Sequence, residues 1–139
     1  MTDTFAGSAP YRAGEGEEYM SDKQKVHFRA ILLAWKQELM EEGRRTVHNL
    51  QDEPLNLPDP NDRASQEEEF SIKLRERERE RKLLHKIDKA LNRLNIDEYG
   101  YCEACGVEIG LRRLEARPTA ELCIDCKHLE EQREKSQAA

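Results

Sequence analysis

Four cysteines constrain this chain more than any other feature: Cys102 and Cys105, then Cys123 and Cys126, in the pattern C-x2-C-x17-C-x2-C. Each pair lets one tight turn present two thiolates to a common point, and the long insert brings the pairs together. The pattern therefore predicts one tetrahedral zinc ion per chain. Protein fills all four positions, which leaves no open site for a water nucleophile or a substrate, so the metal's role is structural. A reducing compartment favours such metal thiolates over disulfides. The first 20 residues contain no apolar core of a leader, and no stretch approaches the ~20 apolar residues that span a bilayer. A cytoplasmic protein without membrane segments is expected.

The chain has 139 residues, of which 37% are charged and 6% aromatic, leaving little material for a large core. An elongated molecule with small cores is the expectation. Its formal net charge is -6, and a zinc ion with four thiolates adds about two further negative charges. A phosphate backbone is repelled by that balance, so the expected partner is a protein and direct DNA binding is disfavoured.

The order of segments predicts a mainly α fold, an antiparallel coiled-coil hairpin on a small base that holds the four-cysteine zinc finger and a C-terminal helix. Residues 1–20, with three glycines and a proline, read as a flexible segment whose end can dock. The hairpin is expected over 21–98. Phe28, Leu32, Trp35, Leu39, Val47 and Leu50 form one helical stripe behind Ser21 as N-cap. Pro54, Pro58 and Pro60 force a bend, with the tip near 55–64. Asp59 as N-cap and Pro60 at the first helical position open a second helix to about Asn95. Its stripe is Phe70, Leu74, Arg77, Arg81, Leu84, Ile87, Leu91 and Leu94. With the bend centred on Leu57, Leu39 faces Leu74, and Trp35 packs beside Arg77 and Arg81. Two helices of ~30 residues make a rod of about 45 Å. The zinc module then occupies 99–139, with Thr119 capping a last helix from about Ala120 to Lys135. A hairpin that satisfies its own seam predicts a monomer.

Asp59, Asp62 and the small Ala64 fall at the far end of the rod, where two carboxylates can act as caps alone or be displayed to a partner. Arg77 and Arg81 can form a polar layer with Glu38 and Glu42. Arg79, Lys86, Arg117 and Lys127 read as solvated cations or, beside Leu83, as a cluster for a phosphorylated ligand. His27, His48, His85 and His128 show no metal spacing. No nucleophile-base order and no glycine-rich phosphate loop is present, so the chain reads as non-catalytic.

Several stretches resemble the DksA (DnaK suppressor protein) family of bacteria: Gly16 to Met20, Leu57 to Pro60, Asp62 to Phe70, Arg77 to Leu83, and Gly100 to Cys126, above all Gly110 to Thr119. The resemblance implies a transcription regulator that binds RNA polymerase and places its coiled-coil tip in the secondary channel. It implies action with guanosine tetraphosphate in the stringent response, altering open-complex stability at ribosomal RNA and amino-acid biosynthesis promoters. The family's tip positions fall on Asp59, Asp62 and Ala64. Its nucleotide-contacting positions fall on Arg79, Leu83, Lys86, Arg117 and Lys127. Gly43 and Pro54 depart from the family pattern, and the resemblance does not extend before Gly14. Two other readings of the cysteines are a zinc-ribbon nucleic-acid binder and a thiol-based redox protein.

Overall fold

The computed structural model describes residues 9–52 and 59–138, with the backbone alone for 49–52. Four helices follow in order: α1 (Asp22–Asp52), α2 (Pro60–Asn95), α3 (Leu111–Ala116) and α4 (Ile124–Ala138). Among the described residues the sole β pairing is an isolated antiparallel bridge between Tyr101 and Glu108. None of the described helices is long and apolar enough to cross a membrane.

The caps read from sequence for the two long helices are the ones the chain uses. Ser21 Oγ accepts from the Gln24 amide (3.3 Å), and Gln24 Oε1 accepts from the Met20 amide (2.7 Å). The first bond satisfies a donor that a helix start leaves unpaired, and the second ties the residue before the cap back onto the first turn. At α2, Asp59 Oδ1 accepts from the Asn61 amide at 3.0 Å, with Pro60 in the first helical position.

The chain divides into two compact units, and both α1 and α2 are shared between them. One unit holds the described residues up to Trp35 together with those from Ile87 onward. Its core joins Phe28, Ile31 and Leu32 of α1 to Ile87, Ala90 and Leu94 of α2, with Tyr99, Ile109 and Leu114 closing over them. The antiparallel course of the two helices is fixed at the surface by Lys25 on Asp97 (2.7 Å) and Arg29 on Asn95 (2.9 Å). The unit boundaries therefore cut across the hairpin and zinc-module division expected at residue 98.

Three expectations are corrected in this unit. The docked part of the N-terminal segment begins well before Met20. The Tyr11 amide donates to Glu115 Oε1 at 2.7 Å, and Tyr19 Oη donates to the Gly100 carbonyl (2.7 Å) while accepting from the Gly110 amide (3.0 Å). Gly100, at φ +92, is what permits this approach, since a Cβ there would meet Met20 Cγ at 2.9 Å. Second, α3 has no counterpart among the expected helices; at six residues it is too short to show a period, yet Leu114 is fully buried. Third, α4 starts at Ile124 rather than Ala120, without Thr119 as its cap. Residues 117–122 are committed elsewhere: Pro118 O accepts from Tyr99 Oη (2.6 Å), Glu121 O accepts from the Glu103 amide (2.8 Å), and Leu122 O accepts from Arg113 Nε (3.1 Å).

Tyr19 and Tyr99 carry a pH signature. Burial raises both phenols, Tyr19 to about 12 and Tyr99 further still. Unfolded tyrosines ionise near pH 10. A raised folded value means the contribution to stability is complete below about pH 10 and is lost as pH rises through the folded values. The melting temperature should fall steeply between about pH 10 and 12, with phenolate absorbance of these two rings appearing together with unfolding. Their ionisation in the still-folded protein, ahead of the loss of helical signal, would contradict this.

The other unit, Lys36–Lys86, is a two-helix segment. Gly43 is buried at its seam, and a Cβ there would meet Arg77 Nη1 at 2.8 Å and Glu80 Oε2 at 3.6 Å. Arg77 Nη1 donates across to the Gly43 carbonyl at 3.3 Å. Gly43 thus stands level with the Arg77–Glu80 turn, so Leu39, one turn earlier, comes level with Leu84. The expected pairing of Leu39 with Leu74 is corrected accordingly: Leu74 is 48% exposed. Arg81 also leaves the seam, since its side chain is 68% exposed and pairs with Glu78. Trp35 is half-buried, not solvent-facing. The bend at 53–58 and the side chain of Leu50 lie outside the described residues.

Gly43 is therefore a packing choice as well as a weak helix former. Alanine there gains about 1 kcal/mol of helix propensity but displaces the Arg77 guanidinium. We expect Gly43→Ala to change urea-unfolding stability little in the parent and to stabilise by about 1 kcal/mol in an Arg77→Ala background. Equal effects in the two backgrounds would show that the guanidinium exacts no penalty.

Candidate functional site

The first cysteine pair sits on a knuckle closed by two backbone bonds, Cys102 N to Val107 O (2.8 Å) and Gly106 N to Cys102 O (2.9 Å). The second pair is set by the start of α4. Cys123 precedes the helix and its carbonyl accepts from the Lys127 amide (2.9 Å), while Cys126 lies in the first turn. The Glu103-to-Glu121 bond draws the two halves together. All four sulfurs lie within 4.8 Å of one another. Cys105 and Cys123 Sγ are 3.7 Å apart; thiolates about 2.3 Å from a central zinc stand about 3.8 Å apart along a tetrahedron's edge. The donor set thus fits a structural zinc ion in both chemistry and spacing.

Electrostatics gives the same reason for a metal. Burial pushes the Cys102 thiol up, but backbone amides of Cys123, Cys105 and Ala104 outweigh it and bring it down to about 6. Cys126 goes the other way, to about 12, through its sulfur contacts with Cys123, Cys102 and Cys105. Four thiols this close cannot all ionise without a cation among them. Zinc supplies that charge.

Several supports of this centre are not singled out by sequence reading. Arg93 is 6% exposed and donates through Nη2 to the carbonyls of Glu98 (3.0 Å) and Tyr101 (2.7 Å), fixing the path from α2 into the knuckle. Lys89 pairs with Glu103 (3.2 Å) and Glu121 (3.1 Å), one on each side of the metal module. Glu115, also buried, holds His27 Nε2 at 2.6 Å as well as the Tyr11 amide. Arg93 lies four residues after Lys89 in an ordinary charged helix, so only the arrival of the chain from elsewhere marks it.

The other candidate residues are dispersed. Asp59, Asp62 and Ala64 are all exposed at the start of α2. Arg79, Leu83 and Lys86 follow a four- and three-residue step on one face of α2, with Arg79 and Lys86 exposed and Leu83 half-buried. Arg117, exposed at the end of α3, and Lys127, half-buried in α4, belong to the other compact unit.

A mainly helical chain with antiparallel α1 and α2 and a four-thiolate module belongs to the class of helical C4 zinc-finger proteins. Residues 24–94 match the family model for the N-terminal domain of the DnaK suppressor protein DksA, and residues 97–132 match the prokaryotic dksA/traR C4-type zinc finger. The chain belongs to the DksA family. It is 61% identical over 134 residues to the RNA polymerase-binding transcription factor DksA of Escherichia coli K12, covering 96% of this chain and 89% of that one. The Haemophilus influenzae protein of the same name is 59% identical, with 96% and 92% covered. Among solved structures, transcription factor DksA2 from Pseudomonas aeruginosa superposes with a TM-score of 0.77 at 44% identity, covering 87% of this chain and 95% of that one.

Proposed function

We propose that this protein is a cytoplasmic, monomeric transcription regulator that binds RNA polymerase directly and is not itself an enzyme. The single observation that carries the reading is the 61% identity over 96% of the chain to an RNA polymerase-binding transcription factor, spanning both the helical pair and the zinc module. In this reading the start of α2 enters the secondary channel, and Asp59, Asp62 and Ala64 act there on mobile elements near the active centre. The exposure of all three supports it, since a helix cap alone needs only Asp59. The zinc holds the base so that the helices are presented in one direction.

Guanosine tetraphosphate is the proposed effector in the stringent response, held by Arg79, Lys86, Arg117 and Lys127 beside Leu83 in the polymerase complex. Its action alters open-complex stability at ribosomal RNA and amino-acid biosynthesis promoters. Linkage requires that nucleotide and polymerase each tighten the binding of the other. The test is retention of purified RNA polymerase by the tagged protein, followed by promoter-complex lifetimes with and without the nucleotide. We expect lifetimes to shorten, and Lys86→Ala to lose the part that the nucleotide adds. Failure to retain polymerase would reject the reading. An unchanged nucleotide response in Lys86→Ala would reject only that residue's assignment.

A further inference from the structure

The four cysteines do not share one environment. Cys102 and Cys123, the first of each pair, are 4% and 7% exposed, whereas Cys105 is exposed and Cys126 half-buried. The module therefore has an inner and an outer edge, with one sulfur of each pair on either. The chain beside each inner cysteine is held to α2. Glu103 directly follows Cys102, Glu121 precedes Cys123 by two residues, and the Glu103 amide donates to the Glu121 carbonyl at 2.8 Å. The side chains of these same two residues converge on one ammonium. Lys89 Nζ stands 3.2 Å from Glu103 Oε1 and 3.1 Å from Glu121 Oε2. Arg93, one turn later on α2, places Nε 3.9 Å from the same Glu103 oxygen. Backbone and side chains thus join the neighbours of both inner ligands to each other and to a helix that carries no metal ligand.

We propose that Lys89 is a positioning residue for the zinc ion: by clamping Glu103 to Glu121 it keeps Cys102 and Cys123 together while a competing chelator displaces the accessible thiolates, and so slows loss of the metal. Each Zn–S bond that breaks is replaced by a donor atom of the chelator, and the freed thiolate takes up a proton. An ion still held by two sulfurs that stay together is recaptured readily, because the lost ligands return at high effective concentration. The clamp acts on metal retention more than on folding. Its side chains are 45%, 38% and 29% exposed at Lys89, Glu103 and Glu121, and ion pairs so open to water stabilise a fold little. Outer partners bonded directly to metal ligands change metal affinity by about 10- to 100-fold; a tie through the neighbouring residues acts at the lower end of that range.

Full-length, zinc-loaded protein is mixed with an excess of pyridylazo-resorcinol, and the rise of the coloured zinc chelate gives the release rate. Lys89→Met keeps the aliphatic stem and the helix propensity. It should release zinc about tenfold faster, with a thermal transition close to the parent's. Glu103→Gln and Glu121→Gln should each accelerate release severalfold and add nothing further to Lys89→Met, since all three remove one interaction. Added salt should speed release from the parent but not from Lys89→Met, because screening weakens the clamp. Arg29→Met, which removes another surface tie onto α2 at Asn95, should leave the rate unchanged. Parental release from Lys89→Met, equal acceleration by Arg29→Met, full additivity of Glu103→Gln with Lys89→Met, or one salt response in both proteins would overturn the proposal.

Discussion

Cys123→Ser should yield a chain that retains no stoichiometric zinc and loses the fixed environment of Tyr19 and Tyr99. Regular secondary structure does little to hold the segment from Tyr99 to Cys126 together, and the bonds of Tyr19, Tyr99 and Arg93 to it need the path that the metal fixes. That segment contains one isolated bridge and a six-residue helix, and the α4 that follows has no buried residue. Structural zinc in finger peptides contributes on the order of 10–16 kcal/mol at neutral pH, more than the whole stability of many small domains. Removing one thiolate forfeits much of that. The expected readouts are zinc content after gel filtration, near-UV dichroism of the tyrosines, and the thermal transition, with far-UV helical signal from α1 and α2 reduced much less. A chelator should reproduce the variant, and acid should do so as well, because each thiolate must take up a proton to leave the metal. A Cys123→Ser protein with the parent's tyrosine dichroism and transition would show that the module stands without its metal.

Asp62→Asn should leave polymerase affinity within about twofold while removing most of the effect on promoter complexes, which for allosteric coupling amounts to roughly 5- to 150-fold in lifetime. Asp62 is exposed in the first turn of α2, whereas the cap bond to the Asn61 amide is made by Asp59. The substitution therefore removes a charge and one acceptor set without unmaking the helix start. Asparagine caps a helix as well as aspartate does, so Asp59→Asn keeps the cap and tests the second tip carboxylate by the same two measurements. Affinity and lifetime are measured on the same preparations. If Asp62→Asn shortened promoter complexes as the parent does, the carboxylate would be a helix-end charge and nothing more.

How far the site could be read in advance depended on how local its causes are. The four cysteines are legible because ligand spacing is a property of the chain itself: two residues between thiolates make a turn that points both at one centre, whatever surrounds it. Ser21 and Asp59 are legible as caps, since each bonds an amide two or three residues on. The start of α4 was not. Thr119 has the chemistry of a cap, but Tyr99, Glu103 and Arg113 claim the carbonyls of Pro118, Glu121 and Leu122, and those partners are distant in sequence. Arg93, Lys89 and Glu115 escaped notice for the same reason.

The sequence by itself determined the two long helices, their caps and the metal-binding pattern, because period, capping and ligand spacing act over a few residues. Tertiary structure alone decided the register of Leu39 against Leu84 rather than Leu74, the place of Arg77 over Gly43, the docking of Tyr11 and Tyr19, and the position at which the last helix begins. These follow from which distant groups come into contact, and a seam containing Arg77 and Glu80 offers no apolar period from which that choice can be read.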